Sequence, residues 1–314
     1  MKVIEQYEGF QLQYSRCVAT IGKFDGVHLG HQAILGQLKG KADQLGLPSL
    51  VILIEPHPEE VFADSADQCP ARLSSKAEKL ALLESMSVDF VYLLKFDLAL
   101  SKLSAEDYIR SILVEGLGIA AFIVGNDFRY GHRRQGDFQL LQRFGLELDF
   151  EVIETATCEV DGERVSSTLV REQLEVGDFQ RVERLLGRPY TISGQVVEGR
   201  KLASSLGFPT CNVKLYRQRI PLHGVYACVI ELDGRRHLAA VNMGYRPTVT
   251  EQGEALLEAY LLDFDGDLYG HHLDVEFCAR VREEKKFESL ETLKQQIAID
   301  VQQVREYFSN RERI

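Results

Sequence analysis

Apolar runs alternate with helical periodicity along the first half of the chain, and with hairpin signals along the second. Val18 to Ile21 and Ser49 to Ile54 are short apolar runs of the kind that form buried strands. Gly22 and Gly26 break the chain after the first run. From there Val27, Ile34, Leu35 and Leu38 recur at helix-like spacing. The second run leads into Glu55-Pro56-His57-Pro58, whose prolines predict an extended loop just past the carboxyl end of a strand. Ser75-Lys76-Ala77-Glu78 is a capping box opening a helix to about Met86. Asp89 to Phe96 reads as a strand, Ser104 starts a helix running to Gly116, and Ala120 to Val124 is the next strand. Strands and helices in this alternation predict βαβ units, a parallel sheet and an α/β Rossmann-like domain. The half lacks the G-x-G-x-x-G of dinucleotide binders, which argues against a dehydrogenase.

Val160-Asp161-Gly162-Glu163 reads as a hairpin turn, Val165 to Arg171 enters a helix, and Asp178 to Leu186 is a short helix. The pattern changes at Gly187-Arg188-Pro189-Tyr190. Strands then follow one another over Ile192 to Val197, Gly224 to Leu232, His237 to Met243, Leu256 to Phe264 and Leu273 to Val281. Asp233-Gly234 and Asp265-Gly266 mark two of the turns. A final helix from Glu288 through Phe308 is amphipathic by Leu293, Ile297 and Val301. Sequential strands closed by one helix predict a small antiparallel β-barrel with a C-terminal helix. The predicted domains are 1–186 and 187–314.

Composition narrows the class. A chain of 314 residues with 45% hydrophobic and 26% charged residues can bury a core in each of two domains. A net charge of −11 argues against nucleic acid or an anionic membrane as the main partner, so a polyanion would need local positive groups. Neither the first ten residues nor any later run has the apolar length of a signal or a membrane span. The six cysteines lack C-x-x-C spacing and read as reduced thiols in a cytoplasmic protein. A monomer or weak homo-oligomer is expected.

Three stretches of the first half carry candidate chemistry. A strand, a glycine turn and a helix start at Gly22–His31 gather free amides and a positive dipole end, which suits a phosphate. His28 and His31 lie on one face of the first helical turn and can donate to phosphate oxygens, with Gly30 keeping the approach clear. The bland alternative is two solvent-exposed histidines. In Gly125-Asn126-Asp127-Phe128-Arg129-Tyr130-Gly131, Asn126 and Asp127 can read polar edges and Phe128 can pack on an apolar ring. Arg129, His132, Arg133 and Arg134 form either a phosphate-steering patch or a solvated basic loop. Ser166-Ser167-Thr168 with Arg171 a turn later makes a second phosphate cradle, although such capping is common without a ligand.

In the second half, Thr210 and Asn212 lie two apart on an extended segment and offer hard oxygens of the kind Mg²⁺ takes. A plain turn into a strand explains them equally. Glu258 alternates with apolar residues and either faces solvent or serves as a base. Asp263-Phe264-Asp265-Gly266-Asp267 lacks the twelfth-position Glu of a calcium loop and reads as a hairpin turn.

These motifs carry a family resemblance. His28-Leu29-Gly30-His31 is similar to the H-x-G-H signature of the nucleotidyltransferase superfamily, and Ser166-Ser167-Thr168-Leu169-Val170-Arg171 to its S-S-T-x-x-R. The longer Gly22–His31 stretch resembles prokaryotic bifunctional riboflavin kinase/FAD synthetases, with Lys23 where Asn is usual. Glu55-Pro56-His57-Pro58 and Gly125–Gly131 resemble that family's elements lining the nucleotide site and contacting FMN and ATP. Gly207-Phe208-Pro209-Thr210-Cys211-Asn212 resembles the G-F-P-T-A-N of riboflavin kinases, with Cys211 for the usual Ala. Gly199-Arg200-Lys201-Leu202 resembles the flap, with Ala203-Ser204 where Gly-Arg is common. Asn242-Met243-Gly244-Tyr245-Arg246-Pro247-Thr248 resembles the element beside the family's catalytic Glu, whose position Glu258 matches. Arg282 and Phe287 match positions near the flavin.

The resemblance runs from about residue 16 to about residue 300 and implies two ATP-dependent reactions. In the barrel, Glu258 would deprotonate riboflavin for attack on ATP, with Mg²⁺ on Thr210 and Asn212. In the first domain the FMN phosphate would attack a second ATP, with His28, His31 and Arg171 stabilising the triphosphate. Gly22, Phe24, Asp25, Gly26, Gly30, Asn126, Asp127, Phe128, Arg129, Ser167 and Thr168 are the implied contacts there. Gly207, Phe208, Pro209, Asn242, Arg246, Arg282 and Phe287 are those of the barrel. Two alternatives stay open on sequence: an enzyme reduced to one activity, and a flavin-binding sensor without turnover.

Overall fold

Six strands order the first half of the chain: β1 (Lys2–Glu5), β2 (Cys17–Gly22), β3 (Ser49–Ile54), β4 (Phe90–Leu94), β5 (Ile119–Val124) and β6 (Glu151–Glu154). They form one sheet in the order β1-β4-β3-β2-β5-β6, every neighbour parallel. The computed structural model describes residues 1–5, 16–65, 68–198, 207–217, 219–232, 234–246 and 254–311. Helices α1 (Leu29–Leu45), α2 (Pro58–Phe62), α3 (Lys76–Ser85), α4 (Ala105–Asp107) and α5 (Phe138–Leu148) accompany the sheet. Leu35, Leu38 and Leu83 bury one face against Val51, Leu53 and Val91. Ile109, Leu113, Leu141 and Phe144 bury the other against Leu50, Ile52 and Phe122. Each fully buried side chain of this size contributes about 1.5–3 kcal/mol.

The doubly wound sheet fixes where ligands bind. The chain leaves β2 for β3 and β4 on one side and for β5 and β6 on the other, so the order reverses beside β2. Open α/β sheets bind ligands past the carboxyl ends of their strands at such a reversal. The loops after β2, β3 and β5, which carry the histidine, Glu55–Pro58 and Gly125–Gly131 motifs, all lie at that end.

A two-stranded hairpin, β7 (Glu159–Val160) and β8 (Glu163–Arg164), follows the sheet, and the second half is a closed barrel. Strands β9 (Tyr190–Val197), β10 (Cys211–Lys214), β11 (Gly224–Leu232), β12 (Arg235–Arg246), β13 (Glu254–Leu261) and β14 (His272–Arg282) pair in the order β10-β13-β12-β11-β14-β9. All pairs are antiparallel, and β9 closes the ring on β10. Along β13, Ala255, Leu257, Ala259 and Leu261 are buried, while Leu256, Glu258 and Tyr260 alternate with them at intermediate exposure. This is the two-residue period of a strand with one core face. Helix α8 (Leu290–Arg311) covers part of the other face, packing Val301, Val304 and Phe308 near Ala227, Ala240 and Leu262.

Packing divides the chain into two units, Met1–Pro70 with Lys76–Ser166, and Ala71–Ser75 with Ser167–Ile314. Helices α6 (Ser167–Val176) and α7 (Phe179–Leu186) therefore group with the barrel, ahead of the change in sequence pattern at residue 187. The reason is apolar: Phe179 stacks on Phe277 and meets Tyr226 edge-on, and Val182, Leu185 and Leu186 are buried. The Leu73 carbonyl accepts from Tyr190 Oη at 3.0 Å and from Arg217 at 2.7 Å, which explains why Ala71–Ser75 counts with the second unit.

Several expectations need correction. Pro58 does not extend the loop after β3 but opens α2 at its first position, where its missing N–H costs nothing. The strand expected over Asp89 to Phe96 is limited to Phe90–Leu94. The helix from Ser104 widens after Asp107 into a π-helix over Tyr108–Gly116. Strands β1 and β6 and helix α5 were not predicted, and β10 adds a sixth strand to the expected five. The flap at Gly199–Ser204, Asp233, and Pro247-Thr248 lie outside the described residues.

Candidate functional site

The histidine turn is built on strained backbone. Phe24 and Val27 have φ of 47° and 40°, and Gly26 has 82°. Only glycine takes this left-handed region freely, and for the β-branched Val27 it is an outlier. Such a turn persists only where its surroundings over-determine it. Phe24 and Val27 are anchored in the core at 1% exposure, and Gln32 Nε2 donates to the Val27 carbonyl at 2.9 Å. Phe24 thus serves as a support, its ring tilted 4.9 Å from that of His31, and Asp25 is equally buried.

His28 is the N-cap of α1, accepting from the His31 N–H at 3.3 Å through Nδ1. The two imidazoles stack at 3.8 Å, so these are not two solvent-exposed side chains. A Cβ on Gly30 would stand 3.1 Å from the His28 ring and 3.5 Å from the Val165 carbonyl. The glycine therefore makes room for the histidine itself. His31 Nδ1 is buried with no hydrogen-bond partner among the described residues. Burial first, then the charges of His28, Lys79 and Lys23, hold the His31 pKa well below 6.5. Lys23, at the departure from the family pattern, is tied to Glu59 of α2 at 2.6 Å.

Beside the turn, at the carboxyl ends of β2 to β5, lies an apolar cavity of about 610 Å³. Ile21, Ile54, Leu94, Tyr108 and Phe128 are among its walls, and Arg129, Arg133 and Arg134 also line it. Phe128 stacks on Tyr130 at 5.2 Å. The Tyr108 and Tyr130 hydroxyls are buried with no hydrogen-bond partner among the described residues, and burial pushes both phenols up in pKa. An apolar slot with a basic lining and two waiting hydroxyls can take a flat heteroaromatic ring bearing a phosphate. Phe128 and Arg129 line this slot, whereas Asn126 and Asp127 engage Glu154 and Arg164 at 2.7 and 2.8 Å. Tyr108 and Phe62 escaped the sequence reading, because they sit on helices whose apolar positions look like ordinary core.

Ser167, Thr168 and Arg171 stand on the first turns of α6. Thr168 is exposed, and Arg171 donates through Nε to the Ala71 carbonyl at 2.5 Å.

In the barrel, strand register does the assembling. Asn212 of β10 lies directly opposite Glu258 of β13, and Glu258 directly opposite Asn242 of β12. Directly paired residues point to the same side of a sheet, so three strands bring an amide, a carboxylate and an amide to one row. Thr210 and Asn212, with Pro209 and Cys211, line a cavity of about 470 Å³ that also reaches Asp265 and Tyr269. Burial pushes the Cys211 thiol up to about 11, so it stays protonated. Phe208 meets Tyr260 edge-on at 5.5 Å, and Gly207 takes a φ of 91° ahead of it. Arg282 forms a two-pronged ion pair with Asp300 of α8 and lies 5.7 Å over the Phe287 ring. Arg246 is in β12.

Comparison with known proteins covers both halves. A family model described as FAD synthetase matches residues 11–169, and one described as riboflavin kinase matches residues 186–308. The chain is 47% identical over 301 residues to a bifunctional riboflavin kinase/FMN adenylyltransferase of Pseudomonas fluorescens, with 96% of each chain covered. It is 45% identical to the one from Escherichia coli K12 (93% of each covered) and 42% to that of Haemophilus influenzae (94% and 95%). A solved structure described as a macrolide-efflux protein from Streptococcus pneumoniae has a similar fold. Its TM-score is 0.80 at 26% identity, over 96% of this chain and 98% of that one.

Proposed function

The chain belongs to the family of bifunctional riboflavin kinase/FMN adenylyltransferases, and from that premise we propose how its own residues divide and perform the two reactions. It phosphorylates riboflavin to FMN and adenylylates FMN to FAD, with ATP as co-substrate of both. Phosphorylation is assigned to residues 187–314 and adenylylation to residues 1–186.

In the barrel, Glu258 accepts the proton of the riboflavin 5′-hydroxyl as that oxygen attacks the γ-phosphorus. The reading rests on one observation, the register that sets Glu258 between Asn212 and Asn242. Thr210 and Asn212 would hold Mg²⁺, and their hard oxygens beside one cavity fit it. An ion held there would supply neutralisation of phosphate charge, while Asn242 and the Gly207–Pro209 turn orient the substrates. Arg282, Phe287 and Arg246 are assigned to the flavin side.

In the first unit the FMN ring occupies the apolar cavity, with Phe128 against it and Arg129 toward its phosphate. The stacked His28 and His31 donate to phosphate oxygens of ATP as charge builds on the departing pyrophosphate. Gly22, Gly26 and Gly30 let the nucleotide approach the backbone. Ser167, Thr168 and Arg171 are assigned to phosphate oxygens on the strength of their motif. The protein is taken as a cytoplasmic monomer or weak homo-oligomer that binds neither nucleic acid nor membrane. Its acidity weighs against nucleic acid and anionic membranes as partners. No helix among the described residues is long and apolar enough to cross a membrane.

The test is Glu258→Gln. Removing a general base costs on the order of 10²–10⁴ in rate. The variant should leave riboflavin unphosphorylated yet convert supplied FMN to FAD at the parent rate. Parent-rate phosphorylation would remove Glu258 from its role.

A further inference from the structure

Lys79 lies on α3, outside every stretch with candidate chemistry, and its side chain is fully buried at 0% exposure. Its Nζ is 3.0 Å from Glu55 Oε2, 3.0 Å from His57 Nε2 and 3.3 Å from the carbonyl of Lys23. An ammonium only donates, so His57 accepts through Nε2 as a neutral ring. Glu55 and His57 belong to the loop after β3; the Lys23 carbonyl belongs to the strained turn after β2, immediately before Phe24. One cation therefore ties together two loops at the carboxyl end of the sheet, at the point where the backbone departs into the left-handed region. A buried ion pair is weak as a stabiliser compared with a packed apolar side chain, so stability does not account for a lysine here. Geometry does.

We infer that Lys79 is a positioning residue for adenylyl transfer, fastening the strained histidine turn to the Glu55–Pro58 loop so that His28 and His31 meet the triphosphate in register. The inference rests on the assignment of adenylylation to this unit. Lys79 does not itself line the apolar cavity, although Ile54, Pro58 and Glu59 in and beside the loop it holds do. Its direct contacts are with the loop and the histidine turn and not with the flavin slot. Its charge is also among those that hold His31 neutral, together with His28 and Lys23, while Glu55 offsets it from the loop side.

The experiment compares the full-length parent, Lys79→Met and Lys79→Arg, with FMN and ATP and separately with riboflavin and ATP. Parent chain that makes FMN but no FAD would overturn the assignment of the unit itself, and is read before any variant. Given an active parent, Lys79→Met should lower kcat for FAD formation about 100-fold, the scale of a small misplacement. Its KM for FMN should stay within about threefold, because the flavin slot is untouched. Lys79→Arg, which keeps the charge and donors, should recover most of the loss. Riboflavin phosphorylation on the same chains should not change. An unchanged kcat in Lys79→Met overturns the inference, as does a KM for FMN rising in step with the loss, since that marks collapse of the whole unit. Should Lys79→Met yield no soluble chain, Glu55→Gln replaces it. It keeps the lysine and the shape of the pair, and a kcat equal to the parent's there overturns the inference, while a fall at constant KM supports it.

Discussion

In the first unit the histidines stand on a turn forced into the left-handed region at Phe24 and Val27, whereas Asn212, Glu258 and Asn242 of the barrel stand opposite one another on regular strands. The first arrangement is assembled by side chains from the turn and from two helices: Phe24 against the His31 ring, Gln32 of α1 on the Val27 carbonyl, Lys79 of α3 on that of Lys23. The second needs only the ladder, since pairing across neighbouring strands already aligns the three side chains. A phosphate site at a sheet's carboxyl end must be enforced residue by residue; one on a barrel wall is inherited from register. Loss of a support should therefore damage adenylylation more than loss of a neighbour damages phosphorylation.

The strongest way to break this comparison is at the histidines. His28→Ala removes a phosphate donor, the N-cap of α1 and the stacking partner of His31 together. FAD formation should fall by about 10²–10³, the scale for one transition-state donor, with phosphorylation of riboflavin unchanged. Rates measured with FMN and then with riboflavin as the starting flavin check this, and equal losses in both reactions would erase the distinction between the units.

How far the sequence carried this account depends on where each interaction is written. The runs of β2 and β3 and the Asp161-Gly162 turn are local patterns and were legible. Strand β6 was not, because Val152 and Ile153 between two glutamates are too short a signal. Helix α5 does carry a helical period in Phe138, Leu141, Phe144 and Leu148 behind its Asp137 cap, which the motif-led reading passed over. Lys79 reads as one more charged position on an exposed helix. Its burial depends on Glu55, 24 residues away in sequence, and on a carbonyl 56 away, which no local period records. Similarly, the closeness of the His28 ring to Gly30, which a Cβ would crowd, is a contact no local pattern records. The row of Asn212, Glu258 and Asn242 required the barrel order, which alternation alone does not supply.

The smallest expected effect sharpens the comparison through pH. His31 has its pKa lowered by burial, His28, Lys79 and Lys23. The unfolded chain therefore binds a proton near 6.5 that the folded unit refuses, and ν_U exceeds ν_N below that pH. Stability from this group is complete above 6.5 and is lost as pH falls through the lowered folded value. Thermal unfolding at about pH 5.5 and about pH 7.5 should show the first unit melting earlier in acid. His31→Gln should flatten that difference, and the same slope in the variant would assign it to other groups.

The most direct test of the central claim, two sites working in sequence on one chain, is a time course from riboflavin with ATP and Mg²⁺, the flavins separated by chromatography. The account predicts FMN that rises first and then declines as FAD appears. FMN that accumulates with no FAD, or riboflavin that never changes, would contradict it.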